Sequence, residues 1–124
     1  MESVDYKSIA LVDDDKDTVN LFSYFLRENG YDVISFTDPL LLLDYILHHD
    51  NQFRLVIIDY KMPHITGCEL ASKIADINPR IKMVLITAIN DIIKNKLNLE
   101  LIHKPLRMHQ LLRTVGKHME EIIT

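Results

Sequence analysis

The apolar positions of this chain fall into short runs that each stop at a polar residue. Ile9-Ala10-Leu11-Val12 runs into Asp13-Asp14-Asp15, Leu55-Val56-Ile57-Ile58 into Asp59, Met83-Val84-Leu85-Ile86 into Thr87, and Leu99 to His103 into Lys104. Runs of this length bounded by polar residues predict buried strands, and Asp32 to Phe36 predicts one more. The segments between them carry the helical period. A first helix spans Lys16 to Asn29, with Val19, Phe22, Phe25 and Leu26 on its apolar stripe and Asn29-Gly30 as a left-handed stop. Asp38-Pro39, an N-cap acid followed by proline, starts a second that reaches His49. A third covers Thr66 to Asn78, and Asn90 or Asp91 caps a short fourth to Asn98. A last helix runs from Arg107 to Ile123 with Leu111, Leu112, Val115, Met119 and Ile122 at helical spacing.

Strands alternating with helices predict an α/β fold, a parallel sheet with crossover helices. Right-handed crossovers make it a five-stranded doubly wound sheet, with the order 2-1-3-4-5 expected from known sheets of this kind. In such sheets ligands bind outside the carboxyl ends of the strands. The acids, the hydroxyl of Thr87 and the ammonium of Lys104 are therefore expected to meet at one rim.

Composition narrows the function classes. A chain of 124 residues, 48 % apolar and 26 % charged, is that of one globular domain. Its net charge of −4, with 14 scattered Lys and Arg, argues against a direct nucleic-acid groove, which needs clustered cations. The longest apolar stretch, Pro39 to Leu47, is interrupted by Asp44 and far too short to insert into a membrane. Met1 to Ser8 is mostly polar, unlike a signal peptide. Cys68 is the single cysteine, so an internal disulfide is impossible and a cytoplasmic location is expected.

The motifs on the strand ends resemble those of the receiver domain of two-component response regulators. They are Val12-Asp13-Asp14-Asp15, Asp59-Tyr60-Lys61-Met62-Pro63 with Gly67, Thr87-Ala88 and Lys104-Pro105, in that order and over nearly the whole chain. The resemblance implies a flavodoxin-like receiver fold over residues 1–124. It makes Asp59 the phosphoacceptor, Asp14 a direct ligand of magnesium (Mg2+, with Mn2+ able to substitute) and Asp13 a ligand acting largely through water. The backbone carbonyl of Lys61 completes the metal ligands. The Thr87 hydroxyl, the Ala88 backbone N–H and the Lys104 ammonium contact phosphoryl oxygens.

The chemistry agrees with these roles. A carboxylate can hold a phosphoryl group as an acyl phosphate. Phosphoryl transfer asks the protein mainly for positioning and charge neutralisation around a metal ion, and magnesium favours an open site with one or two carboxylates. Two carboxylates about 6 Å apart repel by roughly 3 kcal/mol at an effective dielectric near 20. A cation removes that cost only if all three acids converge. Alone, the acidic run would read as a solvated loop with a helix-capping Asp, and Asp15 is assigned to the helix start.

Other candidates carry less. Asp13, Asp15 and Asp17 have the spacing of a calcium loop, but Thr18 and Tyr24 stand where its Gly and closing Glu belong. His64 reads as a loop residue, His103 as a packing residue that strand alternation turns away from Lys104. His48, His49, His109 and His118 lie on helices without a partner at metal spacing. Met62, Met83 and Met119 read as packing, and Cys68 as a small buried residue near a helix start. A haloacid-dehalogenase-like phosphatase also uses Asp, Thr, Lys and magnesium, yet the late acidic pair it needs after a strand is missing, since Glu120 and Glu121 fall on a helix.

Two departures from the family pattern fall together. The stretch from Thr87 to Lys104 spans only 17 positions, short by about one helical turn, which shortens the fourth helix segment. Leu101 stands where the family carries a switch aromatic. Thr87 and Leu101 mark the surface expected to switch. The function implied is a single-domain phosphoacceptor in a histidine-to-aspartate phosphorelay. A sensor histidine kinase or a histidine phosphotransfer protein is the donor, and output passes through a downstream protein partner, with no attached output domain. Its only chemistry would be self-catalysed phosphotransfer and autodephosphorylation, and the oligomeric state is left open. The alternative is a receiver-like protein-binding module acting independently of phosphorylation.

Overall fold

The computed structural model describes residues 8–49, 51–88, 91 and 93–120. Its strands are β1 (Ser8–Val12), β2 (Asp32–Phe36), β3 (Phe53–Asp59), β4 (Lys82–Thr87) and β5 (Glu100–His103). All pair in parallel in the order β2-β1-β3-β4-β5. The doubly wound sheet expected from the sequence is the one observed. Its helices are α1 (Lys16–Glu28), α2 (Pro39–His48), α3 (Gly67–Ile77) and α4 (Met108–Met119).

The strands read as unbroken apolar runs because helices cover both faces of the sheet. Alternation along each strand splits the core in two. Ala10, Val12, Val56, Ile58 and Leu85 face Leu42 and Ile46 of α2 and Leu70 and Ile74 of α3. Ile9, Leu11, Leu55, Ile57, Val84, Ile86 and Ile102 face Leu26 of α1 and Leu111 and Val115 of α4. Each fully buried Leu or Ile contributes roughly 1.5–3 kcal/mol relative to exposure.

The helix starts follow from their caps. Asp15 caps α1, accepting from the Asp17 N–H, and Asp38 caps α2, accepting from that of Leu40. At α3 the Thr66 hydroxyl and the Glu69 carboxylate form a reciprocal capping box. For α4, Arg107 is the N-cap without a side-chain bond. The final residues of the last predicted helix, including Ile122, lie outside the described residues.

Among the described residues one expected element is not formed. Asn90 or Asp91 was to cap a short helix to Asn98, but the described residues 93–99 contain only a turn at Lys96-Leu97. Ile89, Asn90 and Ile92 lie outside the described residues. A helix of about two turns is marginal without strong packing, and Asn95 offers the backbone an alternative. Its side chain accepts from the Leu99 N–H at 2.8 Å and donates to the Leu99 carbonyl at 2.9 Å. His103 is also corrected: it is exposed rather than packed, because β5 is an edge strand and no helix forms in the described part of the segment preceding it.

Candidate functional site

Register brings the strand ends level. Val12 pairs with Ile58, Asp59 with Ile86, and Thr87 with His103. Asp13, Asp59, Thr87 and Lys104 consequently leave the sheet at the same rim. The Tyr60 N–H donates to the Ile86 carbonyl and the Lys104 N–H to the Thr87 carbonyl, each at 2.8 Å. The Lys104-Pro105 peptide bond is cis.

The acidic run divides its work. Asp15 turns outward to cap α1 and also accepts from the Thr18 hydroxyl at 2.8 Å. Asp13 accepts from the Asp15 N–H at 3.0 Å, which turns its carboxylate back over the rim. Asp13, Asp14 and Asp59 each place an oxygen within 4.8 Å of the other two. Asp59 is 4 % exposed. Its Oδ1 lies 2.9 Å from the Lys104 ammonium, and beyond that ion pair the oxygen has no polar partner among the described residues. These residues line, with Lys61, Phe22 and Pro105, an open cavity of about 410 Å³.

Charge balance here is unfavourable without a further cation. Burial, then Asp59, pushes the Asp13 carboxyl up to about 6, against the opposing pull of the Asp15 N–H. Burial also raises the Asp59 carboxyl, with Asp14 and Asp91 adding to it, although Lys104 opposes. Burial alone would lower the Lys104 ammonium, but Asp59, Asp13 and Asp91 together hold it above its usual value. A buried, under-bonded carboxylate oxygen beside two further carboxylates is a donor set that fits a hard divalent cation with an open coordination sphere.

Gly67 shapes the wall. A Cβ there would stand 2.5 Å from Leu85 Cδ1 and 2.8 Å from both the Asp59 carbonyl oxygen and Tyr60 Cα. The first residue of α3 thus abuts the chain at Asp59, and the Gly67 N–H donates to the Tyr60 carbonyl at 2.7 Å. Met62 is buried in the loop between them.

Thr87 and Ala88 are placed beside Lys104, yet neither donor is open. Asp91 Oδ2 accepts from the Thr87 hydroxyl and from the Ala88 N–H, both at 2.8 Å. The hydroxyl also lies 3.3 Å from the Ala88 carbonyl. Thr87 first, then Ala88, lowers the Asp91 carboxyl from its ordinary value. Reading the sequence missed this contact by spending Asp91 on a helix cap; the available signal was an acid three residues after a backbone donor and four after a hydroxyl. Leu101 is half-buried against the α2–α3 side of the core, on the sheet face opposite Ile102 and away from the cavity.

Comparison with known proteins places this arrangement. The chain matches the response regulator receiver domain over residues 9–116, and it belongs to that family. It is 27 % identical over 116 residues to the response regulator receiver protein CpdR of Brucella abortus, covering 90 % of this chain and 95 % of that one. A CheY-like response regulator receiver domain protein from Methanospirillum hungatei superposes with a TM-score of 0.83 at 25 % identity, over 94 % of this chain and 96 % of that chain. A receiver domain protein from Clostridium thermocellum has the same fold, with a TM-score of 0.85 at 21 % identity and the same coverage. This is a receiver domain of a two-component system. Among the described residues no helix is long and apolar enough to cross a membrane.

Proposed function

We propose that this receiver domain accepts a phosphoryl group on Asp59 in a magnesium-dependent step and passes the change to a protein partner in the cytoplasm. One observation carries the reading: the buried Asp59 carboxylate lies within 4.8 Å of two others and 2.9 Å from Lys104. Asp59 Oδ2 or Oδ1 attacks the phosphorus of a phosphohistidine on a sensor kinase or phosphotransfer protein. A P–O bond forms, the P–N bond breaks, and the imidazole nitrogen keeps the electron pair and takes a proton from water. Asp13, Asp14, Asp59 and the Lys61 carbonyl would hold magnesium, which supplies neutralisation of the carboxylates and of the phosphoryl oxygens. Lys104 balances charge at the acceptor. Thr87 and Ala88 supply the neutral donors that an added oxygen needs. Water later attacks the phosphorus, the P–O bond to Asp59 breaks, and inorganic phosphate and a proton leave while Asp59 returns as a carboxylate, so the chain catalyses reactions only on itself.

Incubation with acetyl phosphate and magnesium, followed by intact mass measurement, tests the reading. One phosphoryl group is expected on wild type and none on Asp59→Asn. Stoichiometric labelling of that variant would remove Asp59 from its role. A second reading, a module that binds its partner without phosphorylation, draws on the Asp91 contact, which occupies the Thr87 and Ala88 donors.

A further inference from the structure

A single carboxylate oxygen, Asp91 Oδ2, sits where the hydroxyl of Thr87 and the backbone N–H of Ala88 converge. Two donors converging on one anionic oxygen are what one oxygen of a phosphoryl group would require. Thr87 is 1 % exposed, so its hydroxyl has little access to water as an alternative partner. The Asp91 charge also reaches both Asp59 and Lys104. It therefore shares the field of the acceptor and is not a remote loop acid.

We infer that Asp91 is a built-in surrogate for a phosphoryl oxygen, and that phosphorylation of Asp59 expels it from Thr87 and Ala88. This rests on the phosphoacceptor reading of Asp59. The two anions cannot share the donor pair: one oxygen already takes both bonds, and a phosphoryl group on Asp59 adds negative charge beside a carboxylate. Asp91 thereby sets how readily the site fills, because the phosphoryl oxygen bound for Thr87 and Ala88 must first replace it. Its release also carries the signal outward. Asp91 is joined to the site by these two bonds and by its own N–H to the Ala88 carbonyl at 3.1 Å. The residues just beyond it, Lys94 to Leu97 and Leu99, form one wall of a cavity of about 420 Å³ whose other wall is Tyr60 and the first turns of α3. Freeing Asp91 loosens that wall. The chain thus needs no aromatic at position 101 to report on Asp59, since a carboxylate exchange does so.

The test uses the intact chain with magnesium and beryllofluoride, a phosphoryl analogue, on wild type, Asp91→Ala and Asp91→Asn. Removing a competing carboxylate should tighten beryllofluoride binding about tenfold in Asp91→Ala and speed uptake from acetyl phosphate in proportion. Asp91→Asn, which keeps an acceptor but no charge, should fall between. Amide NMR gives a second readout. The Ala88 resonance should differ between metal-free wild type and Asp91→Ala, and converge when both are saturated with the analogue. Equal affinities in all three proteins, or Ala88 resonances that stay apart at saturation, would overturn the inference while leaving Asp59 as acceptor. If wild type and the variants all fail to take up a phosphoryl group, the acceptor reading itself falls and the inference with it.

Discussion

Replacing Asp59 with asparagine removes one charge at almost constant volume and so weighs the acidic cluster directly. The Asp59 oxygen lies within 4.8 Å of one from Asp13 and one from Asp14. At an effective dielectric near 20, each repulsion is about 3.5 kcal/mol. Lys104 at 2.9 Å opposes them with roughly 6 kcal/mol on the same scale, reduced by screening because its side chain is 46 % exposed. The two repulsions and the attraction are of similar size on this scale, since Asp14 is exposed and screened as well, and burial of the charge tips the balance, in keeping with the raised Asp59 carboxyl. Metal-free Asp59→Asn should be more stable than wild type by about 1–3 kcal/mol, or roughly 4 °C in Tm for each kcal/mol. Urea and thermal unfolding with a chelator, near neutral pH and at low salt, measure this. Excess magnesium should close most of this gap or reverse it, because an ion that binds the folded wild type adds about 2.7 kcal/mol at a hundredfold excess over Kd. A metal-free variant less stable than wild type would refute the convergence of the three charges.

Three further expectations follow from neighbouring features. The Asp13 carboxyl, at about 6 in the fold against 3.8 ordinarily, titrates upward. A raised pKa penalises the charged form, so the penalty is absent below the unfolded value and complete above the folded one. Metal-free wild type should lose about 1–2 kcal/mol relative to Asp13→Asn as pH rises from about 4 to about 7, after allowance for screening; a flat difference in urea midpoints would contradict this. Gly67→Ala should cost about 1–3 kcal/mol through overpacking against Leu85 and the Asp59 carbonyl, read as a lower urea midpoint, and an unchanged midpoint would mean the wall yields freely. Burial alone would raise the Glu100 carboxyl, but Lys117 at 2.9 Å and His118 at 2.8 Å hold it below its usual value. Glu100→Gln should therefore cost about 1 kcal/mol above pH 4.5, the ordinary value, with the loss fading on acidification; a pH-independent loss would assign the effect to packing.

Strands were legible because burial on both faces leaves little freedom in residue choice: Asp32–Phe36 and the end of β3 at Asp59 fall where the apolar runs put them. Asp15, Asp38 and Thr66 marked helix starts because an N-cap is a local bond between near neighbours. The convergence of Asp13, Asp14 and Asp59 could be anticipated, since strand ends in a parallel sheet share one rim. The stretch after Thr87 could not. Between Ala88 and Glu100 the same Asp and Asn residues can cap a helix or bond their own backbone, and the choice depends on packing across α3 that no periodicity records. Asp91 and Asn95 chose the second. His103 was misplaced for a related reason, since alternation gives the side of a strand but not whether anything covers it.

The carboxylates and the cation of the site have different anchors. Asp13 follows β1 and Asp59 ends β3, strands paired on both sides, whereas Lys104 follows β5, four residues long and paired with β4 alone. Cooperative units of a fold open at different free energies, and a short edge strand lies at the low end. Local opening of β5 withdraws Lys104 and leaves the three acids facing one another without their counter-charge. The acidic trio then gains its greatest appetite for a cation in a form whose sheet is otherwise whole. The positive half of the site is thus the one expected to open first, and the ion pairs that tie Glu100, at the start of that strand, to α4 oppose the opening.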